Sequence, residues 1–171
     1  MVRVIYKDKF LTIKERTITV RGKRLKMHRY EQDDVVVILP LVKKGVFLLE
    51  RQFRHGIDKY LLEFPAGHME KGENAKFAAI REFEEETGYK PRKIRHLFSE
   101  LSNPAVSKRQ FHYFLAEDLV KAGKKHFDDY EILETLEMPD AKLWKLIGQN
   151  KLKDPKTIAG YLYYKNFVEK Q

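Results

Sequence analysis

Polar and apolar residues alternate through much of residues 1–31, as in Thr12-Ile13-Lys14 and Thr17-Ile18-Thr19-Val20. A period of two is that of a strand with one covered face. Arg21-Gly22-Lys23 divides two such runs and predicts a hairpin turn. Val35-Val36-Val37-Ile38-Leu39 is apolar without alternation, which predicts a central strand covered on both faces. Lys43-Lys44-Gly45 then turns the chain into a partner strand, Val46-Phe47-Leu48-Leu49. Tyr60-Leu61-Leu62-Glu63-Phe64 predicts a short strand stopped by Pro65.

Residues 74–87 predict a helix, with Ala79, Ile80 and Phe83 on its apolar side and Gly88 as its C-terminal cap. Further strands are expected near 93–101, 110–117 and 130–137. Pro139-Asp140 opens a helix through about residue 147, and Asp154-Pro155 another through about residue 169, since proline beside an acidic residue marks a helix start. Ile158, Tyr161, Leu162 and Phe167-Val168 supply the last helix with an apolar stripe. Many strands, one central helix, more strands and then helices imply an α+β domain built on mixed sheets. The expected division is an N-terminal strand segment, 1–33, and a main domain, 34–171.

Composition narrows the function classes. The length of 171 residues suits one domain. No apolar run approaches the ~20 residues of a membrane span, and MVRVIYKDKF lacks the apolar segment of a signal peptide. A cytoplasmic location is expected. The absence of cysteine excludes disulfides, thiolate nucleophiles and cysteine-based zinc sites. A net charge of +9 suits polyanionic partners such as nucleotides or phosphorylated metabolites. It leaves RNA open as a partner, although no aromatic-rich RNA-binding motif is visible.

The predicted helix carries the chemistry. Glu82, Glu85 and Glu86 stand at i, i+3 and i+4 and share one face. Like charges so placed destabilise a helix by a few tenths of a kcal/mol per pair, roughly. A hard divalent ion with oxygen ligands, Mg²⁺ above all, would relieve the crowding. Glu82 and Glu86 can hold one ion together, with Glu85 beside them for a second. Ala78, one turn earlier, is expected to leave room above the metals. Gly67 is expected to adopt a backbone conformation barred to other residues and to bring the Ala66 carbonyl close to the helix. Arg81 can pair with Glu73 and pin the loop to the helix.

Gly67, Glu73, Arg81-Glu82, Glu85-Glu86 and Gly88 match the signature of the Nudix hydrolases at every fixed position. Phe83 and Tyr89 replace residues usually aliphatic there and read as packing variation. Beyond the signature, Glu50-Arg51-Gln52-Phe53-Arg54 and Leu62-Glu63-Phe64-Pro65-Ala66-Gly67 resemble the ADP-ribose pyrophosphatase branch. Asn103-Pro104-Ala105-Val106-Ser107 and the following His112-Tyr113-Phe114-Leu115-Ala116 are similar to its downstream loop and strand. The resemblance implies the Nudix fold, mixed sheets sandwiched by helices, with an antiparallel N-terminal extension that serves dimerisation. It implies Mg²⁺-dependent hydrolysis of the pyrophosphate bond of ADP-ribose to AMP and ribose 5-phosphate, with Mn²⁺ as a substitute ion. The alternatives are another nucleoside diphosphate sugar, a dinucleotide, an RNA 5′ end, or a non-enzymatic nucleotide-sensing module.

The resemblance further implies Glu82, Glu85 and Glu86 as catalytic residues and, with Ala66, as metal ligands. Gly67, Glu73, Arg81 and Gly88 form the structural box. Arg54, Arg51 and Arg109 are the candidate substrate contacts, Arg54 foremost, because a guanidinium suits phosphate and hydroxyl partners. Tyr6, Phe10 and Tyr30 are candidates to stack on adenine, and His68 to touch substrate. One position departs from the pattern. The family loop usually carries a glutamate where this chain has Arg109, and an arginine cannot accept a proton at neutral pH. Glu85 or Glu86, Glu131, or metal activation alone would then serve in its place. Arg109 and Lys108 would instead grip a more anionic substrate.

Overall fold

The computed structural model describes residues 2–123 and 133–170. Residues 1–31 are richer in structure than one hairpin. Three strands, β1 (Val2–Lys7), β2 (Thr12–Val20) and β3 (Lys23–Glu31), form a separate antiparallel sheet in the order β1-β2-β3. The β2–β3 link is a two-residue turn across Val20↔Lys23. Arg21 and Gly22 both have positive φ, 51° and 75°, the twist that suits right-handed strands. The additional strand β1 follows from a turn that alternation does not reveal. Asp8 Oδ1 accepts from the amides of Phe10 and Leu11, which reverses the chain.

The main sheet runs β10-β5-β4-β9-β8, formed by β4 (Val35–Lys43), β5 (Val46–Arg54), β8 (Tyr89–Leu101), β9 (Gln110–Lys121) and β10 (Leu133–Pro139). Two short strands flank it: β6 (Lys59–Glu63) pairs with β5, and β7 (Ala66–His68) pairs with β4. The sheet is mixed, because β4 runs parallel to β9 and antiparallel to β5. Strand β8 begins at Tyr89 and β9 continues to Lys121, so both exceed the lengths expected from sequence. Of the strand expected at 130–137, residues 130–132 lie outside the described residues.

The continuous apolar run of β4 lies between two cores, as expected of a doubly covered strand. Val37 and Leu39 pack with Phe47, Tyr113, Leu143 and Tyr161 on one side. Val36 and Ile38 pack with Ala78, Ala79 and Phe83 on the other. Helix α1 (Ala75–Thr87) thus covers one face, while α2 (Asp140–Gly148) and α3 (Pro155–Phe167) cover the opposite one. The last helix ends at Phe167; of the expected apolar stripe Ile158, Tyr161, Leu162 and Val168 pack on the core, whereas Phe167 is 61% exposed. Among the described residues no helix is long and apolar enough to cross a membrane.

Strands β4 and β5 are paired only near their connecting turn, at Leu41↔Phe47 and Lys43↔Val46. Beyond it β4 takes β7 as a partner (Val37↔Ala66) and β5 takes β6 (Glu50↔Glu63). The two strands diverge, and a cleft forms where they part.

Candidate active site

The cleft encloses about 1110 Å³, ample for a nucleotide-sized ligand. Glu82, Glu85, Glu86, Arg54, Arg109, Ala66 and Gly67 all line it. These come from α1, the end of β5, the loop before β9, and β7.

Helix α1 starts where Asn74 accepts from the amide of Lys76 and stops at Gly88, whose φ of 75° only glycine adopts readily. Between these caps Phe83 is fully buried, and this fixes the rotation of the helix. Glu86 is 3% exposed and accepts a hydrogen bond from the Ala66 amide at 3.1 Å. Glu82 and Glu85 lie progressively nearer solvent, with side chains 15% and 41% exposed. Arg81 holds the cluster together. Its Nη1 donates to Glu82 at 2.8 Å and to Glu85 at 3.1 Å, while Nε and Nη2 grip Glu73 at 3.0 and 2.9 Å. Nη2 also donates to the His68 carbonyl, tying α1 to β7. The hydrogen bonds to Glu73, outweighing partial burial, raise the guanidinium's pKa, and the same contact lowers that of Glu73.

Two expectations are corrected here. Ala78 does not open space above the carboxylates; it is fully buried against the sheet. Gly67 is not in a conformation barred to other residues, for its φ lies outside the positive range. It is needed for space: a Cβ there would stand 2.0 Å from the Glu82 carboxylate. The Glu82 carboxylate lies so close to the strand that, where it stands, only hydrogen fits at position 67.

The carboxylate face suits a divalent ion. All its donors are oxygens, the chemistry of Mg²⁺ and Mn²⁺, and the glycine cradle presses the backbone of Ala66-Gly67 against them. Among the described residues no three His, Asp or Glu side chains stand as a ready-made metal cluster. Arg81 supplies the balancing charge to Glu82 and Glu85 instead.

Arg54 enters the cleft from the end of β5, and its guanidinium makes two hydrogen bonds to Glu63, at 2.8 and 2.5 Å. Glu63, 1% exposed, also accepts from Lys156 at 3.1 Å. Lys156 lies in the first turn of α3, whose cap Asp154 takes both the lysine and the Thr157 amide. Thr157 Oγ1 accepts from the Phe64 amide, which locks α3 to the segment leading into β7. Sequence reasoning missed Lys156, which stands 93 residues from Glu63 with no local signal to join them.

Burial works to raise the Glu63 pKa, but Arg54 and Lys156 outweigh it and hold the carboxyl below its ordinary value. The stabilisation is therefore complete above the unfolded carboxyl's value of 4.5 and is lost as pH falls through the lowered folded value. Glu63→Gln leaves Arg54 without its anion and Lys156 with Asp154 alone, and is expected to destabilise the protein by about 3 kcal/mol at neutral pH. The gap from wild type should narrow on acidification, as read by thermal melts from neutral pH down to about pH 3, roughly one pH step below the ordinary carboxyl value.

The other candidates are spread unevenly. Arg51 lies outside the cleft lining. Its guanidinium covers the Tyr60 ring at 3.9 Å and stands 3.6 Å from Glu134. Phe10 lines the cleft, whereas Tyr6 pairs with Asp8 on the N-terminal sheet, and the Tyr30 amide bonds to Val106. His68 lines the cleft beside Arg109; burial first, and then the arginine's charge, lower its pKa. Lys108 is exposed. Glu131 lies outside the described residues.

Comparison with known proteins agrees with this geometry. The model of the NUDIX domain matches residues 31–156. The chain belongs to the NUDIX family. Over 88% of its length it is 32% identical to the ADP-ribose pyrophosphatase of Bacillus subtilis, covering 83% of that protein. It is 27% identical to a GDP-mannose pyrophosphatase of Salmonella paratyphi B, over 90% of this chain and 87% of the relative. A crystal structure of an ADP compounds hydrolase superposes with a TM-score of 0.87 at 21% identity, covering all of this chain and 93% of the other. The chain is thus a Nudix pyrophosphatase with the Nudix fold.

Proposed function

We propose that this Nudix enzyme hydrolyses the pyrophosphate bond of ADP-ribose, giving AMP and ribose 5-phosphate, with Mg²⁺ as its ion. The observation that carries this is the cleft itself, with Glu82, Glu85 and Glu86 on one wall and Arg54 on the other. The likeness to the Bacillus subtilis ADP-ribose pyrophosphatase supports the choice of substrate. Glu82, Glu85 and Glu86, with the Ala66 carbonyl, would hold the ion; Mn²⁺ has the same preference for oxygen. When bound, the ion offsets charge on the phosphate oxygens and lowers the pKa of the attacking water.

The protein's own residues position the substrate. Arg54, braced by Glu63, presents the remaining edge of its guanidinium to a phosphate or ribose hydroxyl. Arg81 and Glu73 keep the helix fixed against β7. With arginine at position 109, the proton of the attacking water passes to a carboxylate of the box, Glu85 or Glu86. Positioning and charge supply most of the rate in such reactions. AMP release from ADP-ribose, GDP-mannose and a dinucleotide, each with and without Mg²⁺, tests the reading. ADP-ribose should give the highest kcat/KM; a clear lead for another substrate would replace it.

A homodimer, with residues 1–33 as its dimerisation segment and 34–171 as the catalytic domain, accompanies this reading. It is supported by the exposed Val2, Val4, Leu25 and Met27 on the separate N-terminal sheet. Sedimentation should give twice the 20.4 kDa chain mass; a monomer at micromolar concentration would contradict it.

A further inference from the structure

Arg109 differs from the other two arginines of the cleft, and from Lys156, in its partners. Arg54, Arg81 and Lys156 each pair with a carboxylate. Arg109 Nε donates to the Asp33 carbonyl at 2.9 Å and Nη1 to Gln32 Oε1 at 3.2 Å, while Nη2 stands 3.2 Å from His68 Nε2. These are a carbonyl, an amide and an imidazole. Among the described residues no carboxylate lies within ion-pair distance of this guanidinium; Asp33 and Asp34 act on it only from further away. Burial disfavours its charge.

The side chain is held rigidly all the same. Ser107 Oγ accepts from the Arg109 amide, and the Arg109 carbonyl accepts from the Ser102 amide, which fixes the loop. The Phe111 ring lies 5.6 Å from the guanidinium. A partly buried, immobilised cation with no direct ion pair is stabilised by a ligand that supplies the anion. A guanidinium fork suits a phosphate above other anions. In the proposed reading the bridging diphosphate is met by the carboxylate face with its ion and by Arg54. Arg109 is left for a further anionic group.

We infer that Arg109, with His68 beside it, forms a subsite for a phosphate monoester carried by the substrate in addition to its bridging diphosphate. This deepens the pyrophosphatase reading and rests on it. The monoester belongs either to the adenosine ribose or to the distal ribose. Three compounds separate these cases: ADP-ribose, its derivative with a 2′-phosphate on the adenosine ribose, and its derivative with a phosphate on the distal ribose.

For the wild type, kcat/KM is expected to be about 10- to 100-fold higher for one phosphorylated compound than for ADP-ribose, as a charge-assisted contact provides. Arg109→Met should bring that ratio to within about 2-fold of unity, chiefly through KM. The arm that shows the preference names the ribose. A variant that loses activity equally on all three compounds would reduce Arg109 to a staple between the loop and Gln32-Asp33, and would overturn the subsite. So would a wild type that favours plain ADP-ribose over both derivatives. If none of the three is cleaved, the pyrophosphatase reading fails separately. Metal-free calorimetric binding to wild type and Arg109→Met then decides the subsite by the same ratio, and equal affinities would overturn it.

Discussion

Glu86→Gln is expected to lower kcat by about 1000-fold while leaving the fold intact, the loss of several kcal/mol of ion-mediated stabilisation of the transition state. Glu86 is the most deeply placed carboxylate of the cleft and is already aimed by the Ala66 amide. Glutamine keeps the size and can keep that hydrogen bond through its carbonyl oxygen. It removes the charge, and with it the affinity of the pair Glu82–Glu86 for a divalent ion. The measurement is AMP release under saturating Mg²⁺, beside a thermal melt that confirms the unchanged fold. Turnover near the wild-type rate would sink the metal assignment.

Gly67→Ala is expected to separate function from stability in a different way. The added methyl group meets the Glu82 carboxylate at 2.0 Å, inside any real contact. The atoms it strikes are the end of a flexible side chain, so the carboxylate swings aside and the backbone stays. Stability should fall by no more than about 1 kcal/mol, the low end for overpacking. Activity should fall by about 100-fold, the scale on which a displacement of an ångström is felt at a reacting centre. A melt and a kcat measurement on one preparation check both halves. Unchanged kcat would show that Glu82 need not stand where it does.

Much of the architecture was legible because it rests on local rules. The doubly covered strand at 35–39, the Arg21-Gly22 turn, the helix with its Gly88 cap and the starts at Asp140 and Pro155 each follow from a few neighbouring residues. The strand β1 and the short β7 were not, since a six-residue edge strand and a three-residue pairing have little periodicity. The acidic face was legible because its spacing is helical. The role of Gly67 was misread because close approach of two elements is a tertiary fact, while positive φ is the commoner reason for a glycine. The spacing of Ala78 from Glu82 suggests the metal side, but at that turn of the helix the sheet covers it, and Ala78 packs with Val36, Ile38 and Phe83 in the core.

Lys156 and Glu63 show the same limit. The ion network under Arg54 joins β5, β6 and the first turn of α3, three segments that no motif connects. Arg109 is the opposite case. Its departure from the family pattern was visible in sequence, but its neutral partners were not.

In the proposed reading the carboxylate face of α1 turns a bound divalent ion on the diphosphate of ADP-ribose. Phosphorus NMR of ADP-ribose incubated with the enzyme is the decisive measurement. With Mg²⁺ the diphosphate signal should give way to two monoester signals, those of AMP and ribose 5-phosphate, and with a chelator it should persist. A diphosphate signal that survives saturating Mg²⁺, or one that disappears equally fast in the chelator, would contradict the account.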